Sequence, residues 1–146
     1  MVSLYMAGFR QIIGESGKRE NKMRSTSNES AEDYLETILM LSKELPVVRS
    51  IDVANEMNFK KSSVSVAMKN LRTKEMITVT DAGYIQLTQK GREIAEMIYE
   101  RHIFLSTWLE NLGVDEKTAA DDACRMEHVI SKDSFAAIKR YVEENK

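Results

Sequence analysis

A mainly α-helical chain carrying one small β-hairpin is the predicted fold class, and three observations predict it. Apolar residues recur at three- and four-residue intervals between Ala31 and Val142, the spacing that lines one face of a helix. That period falls to two at a single place, between Ile77 and Leu87. One proline and six glycines in 146 residues leave few breaks for irregular loops.

Residues 1–29 mix Gly, Ser, Asn and alternating charge around one apolar patch, Leu4 to Ile13, without a sustained period, and read as a mobile tail. No basic run precedes the patch, and Glu15, Lys18 and Arg19 follow it, so a cleaved signal peptide is not expected and Met23 is an alternative start. Ser30, with Glu32 and Asp33 behind it, signals a helix N-terminus. Ala31, Leu35, Ile38, Leu39 and Leu45 then form the apolar face of a first helix, about 31–44, which Pro46 ends. Ser50 is the expected N-cap of a two-turn helix, about 51–57, carrying Ile51, Val53, Ala54 and Met57. After a polar turn at 58–61, Val64, Ala67, Met68 and Leu71 give a third helix one clean stripe. Ile77, Val79, Ile85 and Leu87 then alternate with Thr78, Thr80, Tyr84 and Gln86 around Asp81, Ala82 and Gly83, a hairpin pattern. Thr88 opens a long fourth helix with Ala95, Ile98, His102, Leu105 and Leu109 inward and Gly113 at its C′ position. Asp115 is expected to cap a fifth helix, about 116–131, and Asp133 a sixth whose buried face is Phe135, Ile138 and Val142.

The 42% hydrophobic and 30% charged content is that of an ordinary globular domain, and no apolar run reaches the roughly 18 residues of a membrane span. A single cysteine, Cys124, excludes an intramolecular disulfide and fits a reducing cytoplasm. Net charge is −2, from 21 bases and 23 acids, which at first sight speaks against a nucleic-acid partner. Its distribution reverses that: residues 1–29 net +2, 30–57 net −4, 58–92 net +5 and 93–146 net −5. A basic stretch between acidic ones is the asymmetry of a nucleic-acid-binding module joined to something else. A merely solvated charged surface is the bland alternative.

Two helices, a tight polar turn, a third helix and a hairpin are the order of a winged helix-turn-helix, in which the third helix enters the major groove of DNA. Such a helix must offer short hydroxyls and bases near its N-terminus, where backbone N–H groups also favour phosphate. Lys60, Lys61, Ser62, Ser63, Ser65 and Lys69 meet that demand and are the candidate DNA-binding residues. The wing turn carries Asp81 and no arginine, which argues against wing contacts. A helix-turn-helix used only for protein contact is the competing reading.

A second constellation suits a metal. On helix 5, Cys124, Glu127 and His128 stand at i, i+3 and i+4, one face. On helix 1, Asp33 and Glu36 stand at i and i+3, and His102 lies on the apolar stripe of helix 4. If these helices converge, Asp33, Glu36, His102, Cys124, Glu127 and His128 form a site for a divalent first-row ion. Taken singly, each has a structural explanation: dipole-complementing acids, a satisfied core histidine and a small buried thiol.

Five segments carry a family resemblance: Ser30 to Glu36 (SAEDYLE), Ser62 to Ser65 (SSVS), Leu87 to Gly91 (LTQKG), the Arg101-His102 pair and Ala123 to Val129 (ACRMEHV). With them, residues 30–143 resemble the diphtheria toxin repressor superfamily of metal-dependent transcription regulators, especially its manganese transport regulator branch. Beyond the tail at 1–29, the resemblance implies a winged helix-turn-helix domain at 30–92 and an all-helical metal-binding and dimerisation domain at 93–146. It implies metal-ligating roles for Asp33, Glu36, His102, Glu127 and His128, and for position 124, where the manganese branch usually has Glu and the iron branch Cys. Asp33 stands where iron regulators have Met, so the chain is a hybrid. Ser106 and Ala120 replace two residues of the iron branch's second site, which puts a second metal in doubt. Helix 6 runs close to the last residue, so the iron branch's SH3-like domain is not expected.

The expected function is a cytoplasmic homodimeric repressor of metal-uptake genes, in which metal joins helix 1 to helices 4 and 5. That would favour one spacing of the two recognition helices on half-sites about 34–36 Å or a multiple apart. Linkage makes operator DNA tighten metal binding by the same factor. Manganese suits the carboxylates and imidazoles; Cys124 adds affinity for Fe²⁺, Zn²⁺ or Co²⁺ unless only its backbone oxygen binds. The alternatives are an iron-responsive regulator of the same family and a winged-helix regulator sensing a small organic ligand. An enzyme using Cys124 as nucleophile and His128 as base lacks any orienting motif.

Overall fold

The computed structural model describes residues 27–146, so the tail expected at residues 1–29 lies almost wholly outside the described residues. Among the described residues there are six helices and one two-stranded antiparallel sheet. They divide into two compact units, one reaching to Glu96 and one spanning Met97–Lys146.

In the first unit, α1 (Ser27–Glu44) begins before the Ser30 signal; Glu29 places its charge in the first turn, where it complements the helix dipole. Residues 34–41 are all buried, a helix core enclosed on every side rather than along one stripe. The buried Thr37 hydroxyl is satisfied locally, donating to the Asp33 carbonyl at 2.8 Å. Helix α2 (Ser50–Met57) buries Val53, Ala54 and Met57. Its N-cap residue is Arg49, not Ser50: the Asp52 carboxylate accepts the Arg49 backbone N–H at 2.9 Å, so the cap bond comes from inside the helix. Asn58, with φ of 55°, ends α2 in the left-handed conformation that asparagine tolerates. Helix α3 (Lys61–Thr73) then buries Val64, Met68 and Leu71. The edge of Phe59, in the turn between them, meets the Tyr34 ring of α1 at 6.1 Å.

The hairpin pairs β1 (Ile77–Val79) with β2 (Ile85–Leu87) in the register Ile77 to Leu87, Thr78 to Gln86 and Val79 to Ile85. Gly83, with φ of 85°, closes the wing turn in a conformation that other residues rarely adopt. The Ile85 N–H donates to the Val48 carbonyl at 2.7 Å, so the segment before α2 also lies against the hairpin.

Thr88 caps α4 (Gln89–Asn111), its hydroxyl accepting the Gly91 N–H at 3.1 Å while it donates to the Glu75 carbonyl at 2.7 Å. Gly91 is required by close approach: a Cβ there would lie 2.0 Å from the Met76 carbonyl oxygen. Gly91→Ala is therefore expected to lower the unfolding free energy by about 2–3 kcal/mol, read as a reduced urea midpoint. A variant with the wild-type midpoint would mean that the contact relaxes without cost.

In the second unit, α4 ends as the glycine position predicts. The N–H groups of Gly113 and Val114 bond the carbonyls of Glu110 and Leu109 at 2.9 and 3.0 Å, and Gly113 has φ of 99°. Helix α5 (Glu116–Val129) is capped by Asp115, which accepts the Thr118 N–H at 3.1 Å, and buries Ala119, Ala123 and Glu127 at successive turns. Helix α6 (Lys132–Glu144) is capped by Ser131, whose hydroxyl accepts the Ser134 N–H at 3.1 Å; Asp133, the expected cap, sits in the first turn instead. Phe135, Ile138 and Val142 are half-buried, not buried as the stripe suggested, because the other described helices of this unit cover only part of this face. Phe104 of α4 meets Phe135 edge-on at 5.4 Å, and Lys139 bonds Glu100, which join α4 to α6.

Candidate metal centre and DNA-facing helix

Because Val64, Met68 and Leu71 take the inward stripe of α3, all six of Lys60, Lys61, Ser62, Ser63, Ser65 and Lys69 remain exposed. Lys60 is the N-cap residue and Lys61 the first residue of α3, so two cationic residues stand at the helix end whose first-turn backbone N–H groups have no side-chain cap. That combination favours a phosphate, with the serine hydroxyls placed for shorter-range contacts.

Patterning along the chain missed one basic group of this unit. Arg49 lies 4.9 Å from the centroid of the Tyr84 ring and donates to the Tyr84 hydroxyl at 3.3 Å. An exposed guanidinium is thus held on the wing, whose own turn carries only Asp81. No local signal announces a pair 35 residues apart.

In the second unit, α4 and α5 bring His102, Glu127 and His128 together. His102 Nδ1 lies 2.7 Å from Glu127 Oε2, and His128 Nε2 lies 3.4 Å from Glu127 Oε1. Their side chains are 3%, 6% and 0% exposed for His102, His128 and Glu127. Each carboxylate oxygen faces one imidazole nitrogen, in surroundings where an isolated carboxylate would be costly. A proton on imidazole or a divalent cation offsets that cost, and two imidazoles with a carboxylate are donors that first-row ions accept. Cys124, one turn earlier on α5, is a half-buried thiol outside any disulfide.

Asp33 and Glu36 stand one turn apart on α1 in the first unit, Asp33 half-buried and Glu36 wholly buried. Burial, and after it the neighbouring Asp33 carboxylate, push the Tyr34 phenol up from its ordinary 10.0.

The residue preceding His102 proves equally engaged. Arg101 is only 8% exposed; its guanidinium donates to the carbonyls of Glu127 at 3.1 Å and Ile130 at 3.0 Å and stands 5.5 Å from the Phe135 ring. Consecutive residues of α4 therefore hold Glu127 twice, Arg101 by its backbone and His102 by its carboxylate. In the sequence Arg101 stands out as a cation next to an apolar stripe and as half of the Arg101-His102 pair, and neither signal names its partners.

Comparison with known proteins accords with this geometry. Residues 27–85 match the family model of the iron dependent repressor N-terminal DNA binding domain. Residues 88–146 match that of the iron dependent repressor metal binding and dimerisation domain. An uncharacterized HTH-type transcriptional regulator of Methanocaldococcus jannaschii is 35% identical over 121 residues, 82% of this chain and 97% of its own. The HTH-type transcriptional regulator MntR of Bacillus subtilis is 33% identical over 119 residues, 80% of this chain and 84% of its own. Among solved structures, a manganese-dependent transcriptional repressor in complex with manganese is 27% identical with a TM-score of 0.70, covering 77% of this chain and 52% of that one. The manganese regulator SloR shares the fold, with a TM-score of 0.70 at 24% identity over 82% of this chain. The chain spans about half the length of these two structures, 52% and 55%.

Proposed function

Since the chain belongs to the iron dependent repressor family, and so is a metal-dependent transcriptional regulator and not an enzyme, we propose that it is a manganese-responsive repressor of metal-uptake genes. It acts in the cytoplasm as a homodimer on near-palindromic operator DNA. Residues 30–92 form the DNA-binding domain and 93–146 the metal-binding and dimerisation domain. Lys60, Lys61, Ser62, Ser63, Ser65 and Lys69 contact the operator. The metal ligands are Asp33, Glu36, His102, Cys124, Glu127 and His128.

The observation that carries this reading is the buried Glu127 carboxylate held between His102 and His128, within the segment matched by the metal-binding domain of the family. A bound divalent ion supplies the charge that compensates the carboxylates. The residues do the rest: Glu127 orients both imidazoles, Arg101 fixes the Glu127 backbone, and Asp33 and Glu36 add hard oxygens that suit Mn²⁺. Because the ligand set draws on both halves of the sequence, occupancy and operator affinity are linked, each raising the other by one factor. The half-buried Phe135, Ile138 and Val142 of α6 are the apolar surface that a second subunit covers.

Duplex DNA enriched from a random pool in Mn²⁺ provides the test. Gel-shift affinity for it is expected to rise at least tenfold with Mn²⁺ over the metal-free protein, and equal affinity in both conditions sinks the proposal. The soft thiol of Cys124, on the same α5 face as Glu127 and His128, favours iron as a second reading. A parallel anaerobic Fe²⁺ titration decides between the two by which ion activates at the lower free concentration.

A further inference from the structure

Val66 is 61% exposed, more than any other large apolar side chain of the first unit among the described residues. It lies two residues beyond the wholly buried Val64, about 200° around α3, so it sits close to the middle of the outward face. Ser62 and Lys69, at i−4 and i+3, are its neighbours there, and Ser63 and Ser65 flank it. Stability does not account for this residue: a β-branched side chain lowers helix propensity, and at this exposure it buries little.

An apolar group centred on a polar, basic helix face has a natural counterpart in the major groove, where only thymine presents a methyl group. We propose that Val66 is a specificity-determining residue that packs on the C5-methyl of one thymine in each operator half-site. The serines and lysines around it hold the backbone and neighbouring base edges. This inference rests on the DNA-binding reading above and adds to it the base that α3 selects.

The test uses the full chain with Mn²⁺ and the duplex that wild-type protein enriches from a random pool. Each thymine of the half-site is replaced in turn by deoxyuridine, which lacks only the methyl. At one position the replacement is expected to weaken wild-type binding about fourfold, the value of one buried methyl, and about fifteenfold when made in both half-sites. Val66→Ala should bind the thymine and uracil duplexes equally and should melt no lower than wild type. Failure of the wild type to enrich any duplex would overturn the regulator reading, and this inference with it. Enrichment without a uracil effect, or the same effect in Val66→Ala, overturns only the role of Val66. A clearly lower melting temperature for Val66→Ala also overturns it, by showing that Val66 packs within the protein.

Discussion

Glu127→Ala is expected to lower Mn²⁺ affinity by at least about 100-fold and to abolish metal-activated operator binding. Loss of groups that only orient metal ligands already costs about 10–100-fold, and Glu127 is itself a proposed ligand as well as the group facing both imidazoles. The variant also leaves His102 Nδ1 without the carboxylate 2.7 Å away, a loss of about 1–3 kcal/mol of stability. Glu127→Gln separates the two effects. It keeps the shape and an acceptor oxygen, so it should melt near wild type while still binding Mn²⁺ weakly. Calorimetric titration with Mn²⁺, paired with thermal melts of the metal-free proteins, reads both quantities. Wild-type Mn²⁺ affinity in Glu127→Ala would remove the metal assignment. His128→Ala and Asp33→Ala should lose the metal response in the same assay.

Arg101→Met is the second large expectation. The substitution keeps much of the apolar stem that lies near Phe135 but deletes Nη1, the donor of both bonds, leaving the carbonyls of Glu127 and Ile130 without the guanidinium. About 3 kcal/mol of stability should be lost, a fall of roughly 6–12 °C in melting temperature for a chain of this size. Both bonds come from the single Nη1, so Arg101→Lys should recover part of that through its ammonium hydrogens while losing the planar guanidinium near the Phe135 ring. Since Arg101 holds the last turn of α5, where Glu127 and His128 reside, Mn²⁺ affinity should fall with stability. Wild-type melting of Arg101→Met would show that the two bonds contribute nothing net.

Much of the secondary structure was legible because it is written in short-range chemistry. The switch of period at Ile77, the Gly83 turn, the Asp115 cap and the Gly113 terminus each depend on residues within a few positions of one another, and each stands where predicted. The misread caps, Ser50 and Asp133, show the limit of that rule. Several neighbouring polar residues qualified at each helix start, and the backbone conformation selected Arg49 with Asp52 in one case and Ser131 in the other. The stripe on α6 lies where its spacing puts it yet is only half-buried, since periodicity states which side faces inward and not how much covers it.

The charge pattern was equally informative. A net charge of −2 that divides into a +5 stretch beside a −5 stretch points to DNA from the sequence alone, and the structure leaves the named bases of α3 in solvent. Helical spacing already puts Val66 opposite the Val64 stripe; that no neighbouring element covers it is decided only by packing.

What the sequence determined by itself is the order and kind of the elements, the basic reading helix, and the residue types capable of binding a metal. Tertiary structure alone decided which of them meet. His102 meets Glu127 across 25 positions, Arg101 reaches Ile130 across 29, and Arg49 reaches Tyr84 across 35. Helical periodicity specifies a direction around one axis and carries no information about the neighbour that direction encounters. Side-chain partners at such separations exist only once the helices have packed.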